Sequence, residues 1–128
     1  MKILGTGVDI VENSRITKSL RNKKFIERIF SNSEILIAKK TKDKKSYYAK
    51  RFAAKEAFAK SIGTGFRDDF NFKDISIVND KLGKPSFLIN KIIKKIVKKQ
   101  FKTTSFNFFL SISDEKKYSI AYVILQKN

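Results

Sequence analysis

The stretch "SFNFFLSISDEKKYSIAYVILQ" (105–126) decides the fold. Phe106, Phe108, Leu110 and Ile112 alternate with Ser105, Asn107, Ser111 and Ser113, and Phe109 alone breaks the polar side. Period-two alternation is what a strand buried on one face requires. "DEKK" (114–117) is polar enough to turn the chain, and "YSIAYVILQ" (118–126) returns as a second strand. That second strand has few polar side chains on either face. Both faces are therefore expected to be covered, by helices on one side and by a neighbouring subunit on the other.

Upstream, "ILGTGVDIV" (3–11) is β-branched and dotted with glycine, and reads as an opening strand. Leu4, Thr6, Val8 and Ile10 take one face, while Gly5, Gly7, Asp9 and Val11 take the other. Asp9 thus shares a face with two glycines, where a ligand or another segment can come close. "ENSRITKSLRNKKFIERIF" (12–30) reads as one helix, capped by Asn13 or Ser14. "SNSEILIAKK" (31–40) reads as a shorter helix starting near Ser33. The main helix is expected at about residues 45–62, with its stop at Gly63-Thr64-Gly65.

Past that helix, "FRDDFNFKD" (66–74) is a loop and "ISIV" (75–78) a strand. Gly83 and Pro85, the only proline, mark a turn into the strand "FLI" (87–89). Asn90 then caps a helix that buries Ile92, Ile93, Ile96 and Val97 and rings its other face with lysine. Repeats, linkers and low-complexity segments are not evident. One α+β domain, an antiparallel sheet packed against helices, is the expected architecture.

The main helix poses the chemical question. Wound at about 100° per residue, Ala49, Phe52, Ala53, Glu56, Lys60 and Gly63 share one strip, while Lys50, Lys55 and Phe58 point elsewhere. A strip of that kind packs against protein, and a carboxylate within it must meet something positive. Lys60, one turn on, is one answer and a bound cation is another.

Composition narrows the possibilities. The chain has neither cysteine nor histidine, which excludes thiolate catalysis, disulfides, an imidazole base and histidine-bound zinc. Any metal would be hard and oxygen-liganded, with Mg²⁺ leading, and Asp9 and Glu56 are its candidate ligands. Mg²⁺ needs only one or two protein carboxylates when substrate phosphates complete its shell.

Twenty-nine Lys and Arg against 12 Asp and Glu give a net charge of +17, which favours an anionic partner. An AT-rich genome pushes composition the same way. The lysine faces lack the signatures of nucleic-acid-binding motifs, so that reading rests on charge alone. A signal peptide and a membrane-length apolar run are both missing, and the chain reads as soluble and cytoplasmic, with no nucleic-acid or membrane partner expected. Twelve Phe exceed what a core of this size needs and point to a subunit contact.

Three motifs carry a family resemblance: "GTGVDIVENSR" (5–15), "RFAAKEAFAKSIGTG" (51–65), and "GKPSFLI" (83–89) followed by "LSISDEKKYSIAYVIL" (110–125). Together they resemble bacterial holo-acyl-carrier-protein synthase, the short, homotrimeric type of 4′-phosphopantetheinyl transferase. The resemblance runs over essentially the whole chain and implies one transferase domain, residues 1–128, of that fold. It implies Mg²⁺-dependent transfer of 4′-phosphopantetheine from coenzyme A to a serine of apo-acyl carrier protein, releasing adenosine 3′,5′-bisphosphate.

Carried onto this chain, the resemblance makes Asp9 and Glu56 the metal ligands and Lys60 a phosphate contact. Asp9, Glu56 and Lys60 form the catalytic group. Gly63, Thr64 and Gly65 close around the coenzyme, and Gly83, Lys84 and Pro85 flank its nucleotide. Arg15, Lys18, Arg21 and Lys24 dock the acidic carrier protein, and the sites lie between subunits of a homotrimer. No protein base stands out; the serine proton is expected to leave through a metal-associated water, or through Asp9 or Glu56 acting by way of a water.

The chain departs from the family pattern at Asp114, where histidine is usual. A histidine contact to a coenzyme phosphate is then missing, or is made by Lys116 or Lys117. Two other readings compete: a carrier-protein-binding homologue without turnover, and a basic nucleic-acid-binding protein.

Overall fold

The computed structural model describes residues 1–63 and 70–128. The terminal hairpin forms as its alternation requires. Strands β4 (Phe106–Asp114) and β5 (Tyr118–Lys127) pair antiparallel, and β5 pairs on its other edge with β1 (Lys2–Glu12), giving the order β1-β5-β4. Register places Gly5 opposite Leu125, Gly7 opposite Val123 and Asp9 opposite Ala121, all on the inner face. A second, two-stranded sheet joins β2 (Ser76–Asn79) to β3 (Pro85–Leu88).

The long helix α4 (Lys44–Ile62) crosses the inner face of the three-stranded sheet. Asp43 caps its start, and Gly63, at φ 86°, ends it in the left-handed conformation open to glycine. Helix α5 (Lys91–Phe101), capped by Asn90, packs Ile93 and Val97 into the same core as Phe58, Phe87, Ala121 and Val123. Ile92, expected inside, is 38% exposed.

Two glycines set how close α4 comes. A Cβ on Gly5 would overlap the carbonyl oxygen of Ser61, and one on Gly7 that of Ala57. The helix therefore lies directly on the β1 backbone, which only glycine permits.

Three local readings are corrected. Residues 12–30 form two helices, α1 (Asn13–Ser19) and α2 (Lys23–Ile29), because the Asn22 side chain caps the Lys24 amide and starts a new helix. Asn13 and Ser14 do not cap α1; Asn13 instead donates to the Glu115 and Lys116 carbonyls and accepts from Ser119, clasping the hairpin turn. The strip on α4 packs only in part: Ala49 and Ala53 are completely buried, but Phe52 and Glu56 are half-buried and Lys60 exposed, while off-strip Lys55 and Phe58 are completely buried.

Lys55 is accommodated by a network that the sequence reading did not foresee. Helix α3 (Asn32–Lys40) begins with a reciprocal cap between Ser31 and Glu34. The Glu34 carboxylate, itself fully buried, also receives Lys55 Nζ at 2.6 Å and the Ile77 amide at 3.0 Å. Burial pulls the Lys55 pKa down, and Glu34 partly restores it.

The outer face of the three-stranded sheet carries Val8, Ile10, Phe109, Ile120 and Tyr122, between 39% and 58% exposed in the single chain. That apolar face is where a subunit contact was expected. No helix among the described residues is long and apolar enough to cross a membrane.

Gly7→Ala tests the close approach. Forcing α4 away from β1 is expected to cost about 1–3 kcal/mol and to lower the thermal midpoint in a calorimetric melt. An unchanged midpoint would show that the contact has slack.

Candidate active site

Asp9 leaves the inner face of β1 immediately beyond the two glycines, under the C-terminal half of α4. Lys60 reaches down to it, its Nζ 3.1 Å from Asp9 Oδ1 and 3.0 Å from the Val8 carbonyl oxygen. The Asp9 side chain is largely buried, whereas the Lys60 side chain is half exposed, so the cluster opens to solvent on the lysine side.

Glu56 lies one turn before Lys60 on the same strip. Its carboxyl is held above the ordinary range, first by burial and then by the negative charge of Asp9, with Lys60 pulling it back. The i,i+4 pairing of Glu56 with Lys60 is not what the structure uses; Lys60 pairs with Asp9. Two carboxylates beside a single ammonium, one of them costlier to ionise because of the other's charge, make a site that takes up positive charge.

The donor chemistry fits a hard cation. Both carboxylates offer oxygen, and the described residues hold no cluster of three or more potential metal ligands. Such a pair leaves most of an octahedral shell to water or substrate, the arrangement Mg²⁺ adopts beside phosphates.

Gly63 lies at the end of α4, three residues beyond Lys60; Thr64 and Gly65 fall outside the described residues. Gly83 and Lys84 lie in the β2–β3 turn and Pro85 opens β3; the hydrogen bonds and ion pair that hold Asp9 and Lys60 among the described residues do not involve them. Their turn is tied to α4 through Asn79, which donates to the Gly83 carbonyl and accepts from Arg51 Nη2 at 2.7 Å. Arg51 and Glu56 are five residues apart, so they leave the helix about 140° from each other. Arg15, Lys18, Arg21 and Lys24 are all exposed along α1, α2 and their junction, with Ile16 buried beneath. Asp114 accepts a hydrogen bond from the Ser46 hydroxyl at 3.2 Å, which ties the end of β4 to the first turn of α4.

Sequence reasoning passed over Arg51. Its guanidinium stacks 3.7 Å over the Tyr47 ring, and its Nε is buried without a partner among the described residues. An arginine one helical turn after a pair of tyrosines, Tyr47 and Tyr48, was the available signal.

Comparison with known proteins places this geometry in a family. The profile described as "4'-phosphopantetheinyl transferase superfamily" matches residues 5–123. The holo-[acyl-carrier-protein] synthase of Pelagibacter ubique is 75% identical over 127 residues, covering 99% of each chain. That of Clostridium acetobutylicum is 45% identical, over 97% of this chain and 98% of its own. The crystal structure of the Neisseria meningitidis enzyme superimposes with a TM-score of 0.89 at 38% identity, over 98% of this chain and 100% of that one. A Bacillus anthracis holo-(acyl-carrier-protein) synthase, solved in complex with CoA (3',5'-ADP), gives 0.81 at 38% identity, over 98% of both chains. The chain belongs to the holo-acyl-carrier-protein synthase family of 4′-phosphopantetheinyl transferases, and its α+β architecture is the fold of that family.

The raised Glu56 carboxyl has a consequence for pH. The folded state binds the proton more readily than the unfolded chain, so this contribution to stability is present below the ordinary carboxylate range and is lost as pH rises through the folded value. In metal-free protein, Glu56→Gln is expected to melt higher than wild type at pH 8, with the gap closing toward pH 4. A gap that is flat with pH would mean that Glu56 is not strained by its surroundings.

Proposed function

We propose that the protein transfers 4′-phosphopantetheine from coenzyme A to a serine of apo-acyl carrier protein, with Asp9, Glu56 and Lys60 as the catalytic group. The observation that carries this assignment of residues is the convergence of Asp9 on β1 with Lys60 and Glu56 on α4. Full-length similarity to holo-acyl-carrier-protein synthases, one of them crystallised with coenzyme A, supports the reaction itself.

Asp9 and Glu56 would hold Mg²⁺, which supplies charge neutralisation on the coenzyme diphosphate. Lys60 stands at the open side of the pair and donates to the phosphoryl oxygens as the serine attacks in line. The serine proton leaves to a water held by Asp9 or Glu56. Gly63, with Thr64 and Gly65 after it, closes against the coenzyme. The Gly83-Lys84-Pro85 turn flanks the nucleotide, with adenosine 3′,5′-bisphosphate the leaving product.

That turn is tied through Asn79 to Arg51, about 140° around α4 from Glu56, which supports a site that draws the turn and the acidic pair from two subunits. The exposed apolar face of the β1-β5-β4 sheet supports a homotrimer that brings them together. Arg15, Lys18, Arg21 and Lys24 form the docking surface for the acidic carrier protein, where charge complementarity speeds encounter and weakens with salt. Asp114 is engaged by Ser46, which leaves Lys116 and Lys117 on the same hairpin as the cations available to a phosphate. The protein works in the cytoplasm as a single transferase domain, without a nucleic-acid or membrane partner.

The test is incubation with coenzyme A, Mg²⁺ and apo-acyl carrier protein, followed by intact-mass measurement. Wild type is expected to add the phosphopantetheine mass, and EDTA to abolish the gain. Asp9→Asn and Glu56→Gln are each expected to slow transfer by about a hundredfold or more. Full turnover in either variant would remove it from the metal site.

Val8→Glu or Ile120→Glu is expected to give monomers by light scattering and to lose transfer. A trimer that survives both substitutions would put the interface elsewhere.

A further inference from the structure

Lys55 is the one completely buried lysine among the described residues, and it directly precedes Glu56. Its three ammonium hydrogens are shared among four acceptors: the Ile29 carbonyl at the end of α2 (2.9 Å), Glu34 Oε1 on α3 (2.6 Å), and the Phe72 (3.0 Å) and Ile75 (2.6 Å) carbonyls ahead of β2. These acceptors come from three separate segments, so the ammonium joins them at one point. Glu34 is held in turn by the Ser31 and Ile77 amides, each at 3.0 Å. The network is satisfied on both sides and has little room to move.

We propose that Lys55 is the positioning residue for the Glu56 carboxylate, fixing the rotation of α4 about its own axis so that Glu56 faces Asp9. The inference rests on the reading of Asp9 and Glu56 as a cation site. Gly5 and Gly7 set the distance between α4 and β1, but a helix resting on a flat backbone can still roll. A roll of about 10° on a helix of about 5–6 Å radius displaces a side chain by about 1 Å. Adjacent helical residues differ by about 100°, so anchoring Lys55 on one side dictates where Glu56 emerges on the other. The Lys55-Glu56 dipeptide thus couples a buried anchor to a ligand.

The experiment measures Mn²⁺ binding by electron paramagnetic resonance, alongside steady-state kinetics, at a temperature where circular dichroism shows each variant folded. Lys55→Met combined with Glu34→Gln removes the anchor without leaving a buried unpaired charge. Lys55→Arg keeps the charge but presents a planar donor set that four convergent acceptors do not match. Both are expected to weaken Mn²⁺ binding by about tenfold or more, the scale of lost support behind a metal ligand. They are also expected to lower kcat while leaving KM for the carrier protein unchanged.

Val97→Ala, in the core beneath α5, is the control for destabilisation alone and is expected to keep wild-type Mn²⁺ affinity. Folded Lys55 variants that bind Mn²⁺ within twofold of wild type would reduce the network to a structural role and overturn the proposal. If one variant fails to fold, the other decides. Wild-type protein that binds no Mn²⁺ would instead remove the cation-site reading, and this inference with it.

Discussion

The structure depends on backbone contact between α4 and β1. Two glycines on one face of β1 let the helix lie where a methyl group would collide with the Ala57 and Ser61 carbonyls. Everything chemical follows from that short distance. Asp9, two residues beyond Gly7, comes within hydrogen-bond reach of Lys60 on the helix above, and Glu56 enters the same field. Larger residues at positions 5 and 7 would separate β1 from α4 by a side-chain layer and take Asp9 out of reach of Lys60.

The opposite side of α4 solves a different problem. A helix buried on most of its circumference can pack in several rotations if its surface is smooth, and alanine makes it smooth. Lys55 removes that freedom, because an ammonium without water must meet its acceptors. A buried ion pair is a weak source of net stability, yet it discriminates strongly among arrangements, since any packing that breaks it leaves a charge unpaired. The Lys55–Glu34 pair adds little to the hydrophobic core in strength and much in definition. It also ties α2, α3 and the segment before β2 to the element that carries the site.

Electrostatics divides the surface in a related way. The positive charge is spread over exposed lysines that make few contacts, while the site gathers its acids under α4 and meets them with Lys60. The exposed arginines and lysines of α1 and α2 stand on the buried Ile16 and Ile29. A cationic surface is thereby anchored to the core beneath α1 and α2.

Local pattern settled much of this protein. Alternation in 106–112 defined the hairpin, Gly63 marked the end of α4, and Asn90 marked the start of α5, because each is a short-range rule of backbone geometry. The motifs at 5–15 and 51–65 also made the family legible before any coordinates. Only the tertiary structure decided what the pattern leaves degenerate. A lysine on a helix looks the same whether it faces water or three carbonyls and a carboxylate, so Lys55 could not be read as buried until α2, α3 and the segment before β2 enclosed it. Residues 12–30 scan as one helix because periodicity does not register that a single asparagine can restart the hydrogen-bonding pattern. Lys60 had two acids within reach, one by sequence spacing and one by folding. The pairing with Asp9 prevailed because strand and helix are in backbone contact, a fact set by the packing of distant segments.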